Sequence, residues 1–347
     1  MITPVYPPKP SPGDRIAVVS PASGLPGLFP LPYELGLRRL REEYGLEPVE
    51  YPATRKPGAT PAERADDLHA AFADPDVKAV IATIGGDDQI TVLPLLDREL
   101  IRARPKPFIG MSDNTNLLAF LRNTGIVGYH GASVMVELGR PGAMNPQTAD
   151  SLRAALFTSG PYELRPADRW NDVDRDWADP ATFDEEPPSR PGTGWTWVNA
   201  DRVVEGRGWG GNLEILGWLL MADREIAEPE EYEGDVLFLE TSEELPSAAE
   251  VFRTLRNMGE RGLLGRFSAL LMARAKTWSF ERPNSPEEAA RYAADQREAV
   301  LSAMRAYAPR TPVVLDVDFG HTDPQVVIPY GGTVRVDGPA RRITVTY

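Results

Sequence analysis

Short apolar runs alternate with amphipathic stretches through the first 125 residues. Residues 14–20, Asp-Arg-Ile-Ala-Val-Val-Ser, predict a buried strand that closes on the turn cluster Pro21-Ala22-Ser23-Gly24. Residues 35–44 have helical apolar spacing and meet the stop signal Gly45, and Thr60 followed by Pro61 opens a second helix that runs to Phe72. Further strands are predicted at 77–84 and 107–111, with helices at 90–100 and 114–123. Strands and helices in strict alternation predict a parallel sheet covered by helices on both faces.

The pattern breaks between residues 166 and 194 into Asp, Pro, Trp and Arg with neither period, which reads as a linker. Beyond it, strands are predicted at 234–240, 267–273 and 312–317, helices at 248–258 and 286–307, and a closing hairpin turning at Asp337-Gly338. No internal repeat is present. At 347 residues the chain exceeds one ordinary core, so two domains are expected: 1–165, a linker at 166–206, and 207–347.

Composition narrows the function. A net charge of −14, with Lys and Arg scattered among acids, provides no basic stripe for a nucleic-acid polymer. With no cysteine there is no thiol nucleophile or disulfide, and His69, His130 and His321 have no metal-ligand spacing, so no metal is expected. The N-terminus lacks an export pattern and no run of 18 apolar residues occurs, so a cytoplasmic protein with no membrane partner is expected.

Three loops lie at predicted strand ends, where open α/β sheets hold their ligands. In Ile84-Gly85-Gly86-Asp87 the paired glycines either permit a turn with positive φ or let the backbone approach a ligand closely. In Ile109-Gly110-Met111-Ser112-Asp113-Asn114-Thr115 a strand turns into a helix, which presents Ser112 as a nucleophile or makes Ser112 or Asp113 a helix cap. The motif is not the Gly-x-Ser-x-Gly elbow of the α/β-hydrolases. In Gly320-His321-Thr322-Asp323-Pro324, His321 is a candidate base or a surface histidine held by Asp323, and His130 is its rival. Glu240, ending the strand Val236-Leu237-Phe238-Leu239, is a candidate orienting carboxylate or a solvated acid.

The ordered set of Ile84-Gly85-Gly86-Asp87, Ile109 to Thr115, Gly210-Gly211-Asn212-Leu213, Leu237-Phe238-Leu239-Glu240 and Gly320 to Pro324 resembles the LD-carboxypeptidase family of serine peptidases, which includes the microcin-C immunity peptidases. The resemblance implies an N-terminal Rossmann-like domain and a smaller C-terminal α/β domain, with the active site in the cleft between them. It makes Ser112 the nucleophile, His321 the base and Glu240 its orienting acid, with the amides of Gly86 and Asp113 as oxyanion hole. Gly85 and Asn212 would contact substrate. No cofactor is implied, and a homodimer is. Length and the linker tryptophans Trp195 and Trp197 are closer to the immunity branch, where an aromatic residue stacks on the nucleotide of a peptidyl or aminoacyl nucleotide. Packing is the competing role for both indoles. Murein tetrapeptide is the alternative substrate, and a protein that sequesters a ligand without cleaving it is the non-catalytic alternative. A nucleotide-dependent α/β enzyme is weakly supported, because no phosphate-binding Gly-x-x-x-x-Gly-Lys-Ser/Thr occurs.

Overall fold

The computed structural model describes residues 3–347. The first half builds β1 (Arg15–Val19), α1 (Pro30–Glu42), β2 (Glu47–Glu50), α2 (Pro61–Ala73), β3 (Val77–Ala82), α3 (Arg98–Ala103), β4 (Phe108–Gly110), α4 (Thr115–Thr124), β5 (Gly128–His130) and α5 (Pro146–Phe157). Ile16 to Val19 and Ala79 to Ala82 are at most 1% exposed, as expected for strands covered on both faces. Helix starts follow local chemistry: Thr60 and Glu63 form a reciprocal capping box on α2, with Pro61 in the first turn.

The predicted helix at 90–100 is instead two 3-10 turns, Gln89–Thr91 and Leu93–Leu95, followed by α3. Pro94 cannot donate into a continuous ladder and its ring excludes the preceding carbonyl, so the run is cut there. The stretch 166–206 is also more ordered than a bare linker. It contains β7 (Arg169–Trp170) and β8 (Arg190–Pro191), which pair with each other, β9 (Thr196–Val198), and the start of β10 (Val203–Asn212).

The second half continues with α6 (Leu213–Ala222), β11 (Val236–Glu240), α7 (Ala248–Glu260), β12 (Ala269–Ala273), α8 (Pro286–Tyr307) and β13 (Val313–Val317), then β14 (Ile328–Tyr330), β15 (Thr333–Asp337) and β16 (Arg342–Thr346). Capping boxes at Ser247/Glu250 and Ser285/Glu288 start α7 and α8.

Two sheets result. The first has the order β14-β5-β4-β3-β1-β2, parallel except for β14. In the second, β6 (Pro161–Leu164), β16, β15 and β10 lead into the parallel run β10-β11-β12-β13, with β9 antiparallel at the far edge. The sheets exchange strands: β6 leaves the first half to pair with β16, and β14 returns to pair with β5, setting Ile328 opposite His130. The halves also meet at the buried pair Arg122–Asp235 (2.7 Å) and where the Asn212 amide donates to Thr115 Oγ1 (3.1 Å). A Cβ on Gly211 would fall 2.6 Å from Thr115 Oγ1, so glycine is required for this approach. The carboxyl ends of β10 and β11 are thereby docked beside the start of α4.

Candidate active site

β4 ends at Gly110, and the chain turns through Met111 into the 3-10 turn Ser112–Asn114 that leads to α4. Ser112 has φ +58, a left-handed conformation that costs a non-glycine residue free energy unless its surroundings impose it. Its side chain caps nothing. Asn114 occupies the cap position of α4 but gives the helix no side-chain cap, its Nδ2 donating to the Ile84 and Met111 carbonyls instead, and Asp113 is turned inward, accepting from the Gln89 amide (2.9 Å) and Asn116 Nδ2 (2.7 Å). Burial pushes the Asp113 carboxyl up to about 7.

The Gly85-Gly86 loop lies directly against this turn. Neither glycine has positive φ, so the turn alternative gives way to close approach. A Cβ on Gly85 would sit 2.8 Å from both Cβ and Oγ of Ser112, and one on Gly86 would meet Ala22 at 3.1 Å. Among the described residues, the amides of Gly86 and Asp113 donate no hydrogen bond, which leaves both available to an anion beside Ser112.

On the facing sheet, Glu240 is fully buried at the end of β11 and His321 follows β13. His321 Nδ1 and Glu240 Oε2 are 2.6 Å apart. Gly320 (φ +84) admits this approach, because a Cβ there would stand 2.5 Å from Glu240 Cβ. Burial works to raise the Glu240 carboxyl, but the charge of His321 and the hydrogen bond between them outweigh it and hold the group low. Burial would likewise lower the His321 imidazole. The charges of Glu240 and Glu243, with the Glu240 hydrogen bond, reverse that and push it up to about 9. Glu243 Oε2 lies 3.2 Å from His321 Nε2.

Asp323 does not hold His321. It accepts from Arg140 Nε and from Asn171 Nδ2, each at 2.8 Å, and so ties the loop to α5's approach and to the 166–206 stretch. His130 is no rival base in this arrangement. It is fully buried, its ring edges against Phe238 and Phe319, and both its nitrogens lack hydrogen-bond partners. The 3.9 Å from its Nε2 to Glu240 Oε1 is beyond hydrogen-bond range, and burial pushes the imidazole down to about 4.

Asn212 stands beside Glu240 in the β10–β11 register. Its Oδ1 caps α6 by accepting from the Ile215 amide (2.9 Å), and its buried Nδ2 has no partner. Trp195 and Trp197 serve the edge of the second sheet. Trp195 is 9% exposed and donates Nε1–H to Asp318 Oδ2 (2.8 Å), while Trp197 pairs with Val314 in the strand ladder.

Sequence reasoning missed two further residues. Glu243 lies in the run Thr241-Ser242-Glu243-Glu244, but nothing local shows that it folds back onto His321. Gln325 joins three loops at once: its Nε2 donates to the Gly320 carbonyl and Met111 Sδ, and its Oε1 accepts from the Ala132 amide. It braces the His321 loop against the turn that carries Ser112.

Two family models match most of the chain, described as the LD-carboxypeptidase N-terminal domain at residues 16–131 and the LD-carboxypeptidase C-terminal domain at 205–336. The microcin C7 self-immunity protein MccF of Escherichia coli is 26% identical over 288 residues, 82% of this chain and 78% of that protein. The murein tetrapeptide carboxypeptidase of Pseudomonas aeruginosa is 35% identical over 146 residues, 41% of this chain and 46% of that protein. Among solved structures, an MccF-like protein from Streptococcus pneumoniae in complex with AMP has a TM-score of 0.84 at 26% identity, covering 96% of this chain and 99% of that one.

Proposed function

The chain belongs to the LD-carboxypeptidase family and is a serine peptidase, and from that premise we propose that Ser112, His321 and Glu240 are its triad. The observation that carries this reading is the 2.6 Å pair of His321 Nδ1 with buried Glu240, in a sheet whose Asn212 amide donates to Thr115 Oγ1, three residues beyond the strained Ser112. In the reaction, Ser112 Oγ attacks the amide carbonyl as its proton passes to His321 Nε2. The amides of Gly86 and Asp113 receive the developing oxyanion, and one such donor is worth about 3 kcal/mol in related chemistry. His321 then gives the proton to the departing nitrogen, leaving an ester on Ser112. Water, deprotonated by His321, cleaves that ester and releases the acid. Glu240 keeps the imidazole in the tautomer whose Nε2 is turned to the serine.

The substrate we propose is a peptidyl or aminoacyl nucleotide, which makes the enzyme one of self-immunity or detoxification. This is supported by near end-to-end similarity to a protein whose structure holds AMP. The similarity to a murein tetrapeptide carboxypeptidase favours a second reading, a murein peptide substrate. We further propose a cytoplasmic homodimer with the division 1–165, 166–206 and 207–347; no helix of the described residues is long and apolar enough to cross a membrane. Asn212 Nδ2 is proposed to contact substrate beside Gly85.

Incubation of the wild type and Ser112→Ala with both substrate classes, followed by mass spectrometry, tests the reading. Turnover of one class and its loss by at least about 10⁴-fold in Ser112→Ala is expected. Hydrolysis surviving the substitution removes Ser112 as nucleophile, and stoichiometric protection without product favours sequestration.

A further inference from the structure

His321 is held at both ring nitrogens. Nδ1 meets Glu240 at 2.6 Å, and Nε2 meets Glu243 at 3.2 Å. The second contact uses the atom that must take the proton of Ser112, and among the described residues no hydrogen bond joins Ser112 to His321. We propose that Glu243 is a positioning residue that occupies His321 Nε2 in the substrate-free enzyme, so that Ser112 is activated only once bound substrate has drawn Glu243 aside. The proposal rests on the triad reading above.

The two carboxylates are built differently. Glu240 is fully buried and cannot leave, whereas the Glu243 side chain is 56% exposed. An ion pair that is half in water is weak, so substrate can break it at small cost. The segment around Glu243 is anchored on either side of it. Glu214 Oε1 accepts from the amide (2.9 Å) and Oγ (2.7 Å) of Ser242, Arg282 donates to the Leu245 carbonyl (2.9 Å), and Tyr292 donates to that of Pro246 (2.7 Å). Displacement therefore needs only the Glu243 side chain to swing.

The charges around His321 agree with the geometry. Glu240 from β11, Glu243 from the following loop and Glu214 from α6 all favour the imidazolium; buried His130 from β5 is the neighbouring imidazole. Next to Glu243 in the chain, Glu244 is surrounded by the acids Glu243, Asp87, Glu281 and Glu250, while Arg282 is engaged by the Leu245 carbonyl and Arg140 by Asp323. An imidazolium cannot accept the serine proton. With the group pushed up to about 9, the imidazolium predominates at pH 7, and removing one carboxylate raises the neutral, competent fraction.

The test compares wild type, Glu243→Gln and Glu244→Gln by two readouts: NMR titration of the imidazoles and the pH dependence of kcat/KM. The chain has three histidines, so the His321 signal is assigned by its loss in His321→Asn. In Glu243→Gln the His321 midpoint is expected to fall by one unit or more, and the acid limb of kcat/KM with it, so that activity at pH 7 rises about tenfold per unit. Glu244→Gln is expected to leave the midpoint in place. An unchanged midpoint in Glu243→Gln, or a shifted midpoint with an unmoved acid limb, overturns the proposal while leaving the triad intact. Hydrolysis that survives Ser112→Ala overturns the triad itself, whatever the midpoint does.

Discussion

Two imidazoles flank one carboxylate, and they are driven in opposite directions. His321 is 12% exposed and has a carboxylate at each nitrogen; His130 is fully buried with no partner at either. Burial disfavours the charged form of both. The difference is made by hydrogen-bonded contact: Glu240 touches His321 at 2.6 Å but stays 3.9 Å from His130. Proximity to an acid therefore does not make a base. The acid must be close enough to bond, and the imidazole must have its other nitrogen turned toward a nucleophile or a group that yields to one.

The largest effect is expected of Glu240→Gln. An amide can no longer neutralise His321 or fix its tautomer, and kcat/KM is expected to fall by about 10⁴-fold at pH 7, measured by steady-state kinetics. A smaller loss, about 10²-fold, is expected for Gly85→Ala, because the new methyl would have to displace Ser112 from a position 2.8 Å away. If that variant keeps full rate, Ser112 can yield to the methyl and the close approach of Gly85 is not required for catalysis.

The smallest effect is on stability, and there the two histidines have opposite pH signatures. The folded state raises His321 from 6.5 to about 9, so its contribution is fully present below pH 6.5 and is lost as pH rises toward 9. The folded state lowers His130 to about 4, so its contribution is present above pH 6.5 and is lost as pH falls toward 4. Each is worth a few kcal/mol at most. Thermal melts across pH 4 to 9 are expected to flatten on the acid side in His130→Phe and on the alkaline side in His321→Asn. A His130→Phe profile that still drops on the acid side exactly as in wild type would assign that slope to buried carboxylates instead.

Much of this arrangement is legible in sequence where the cause is local. The apolar runs of β1, β3, β11 and β13 and the Ser/Thr-x-x-Glu caps of α2, α7 and α8 are each set by a few neighbouring residues. The helix expected at 90–100 is cut at Pro94 in spite of its apolar spacing, and α6 has no sequence signal because Leu213 to Ala222 is apolar nearly all round and shows no stripe. The strand-end positions of Ser112, Glu240 and His321 could be read as candidates, but helix capping and solvation competed with function until the ordered motifs were taken together. Glu243 and Gln325 act across the fold, through a loop that curls back and an amide that spans three loops, and no spacing along the chain encodes such contacts.

Strand exchange threads one continuous chain through both large sheets. The chain passes between the sheets three times, after β5, after β13 and after β14. A cut at residue 180 would yield two pieces, each holding strands of both sheets: β1 to β5 with β6 in one, β9 to β13 with β14 in the other. They would complete either sheet only by complementing each other, with Ser112 and His321 borne on separate polypeptides.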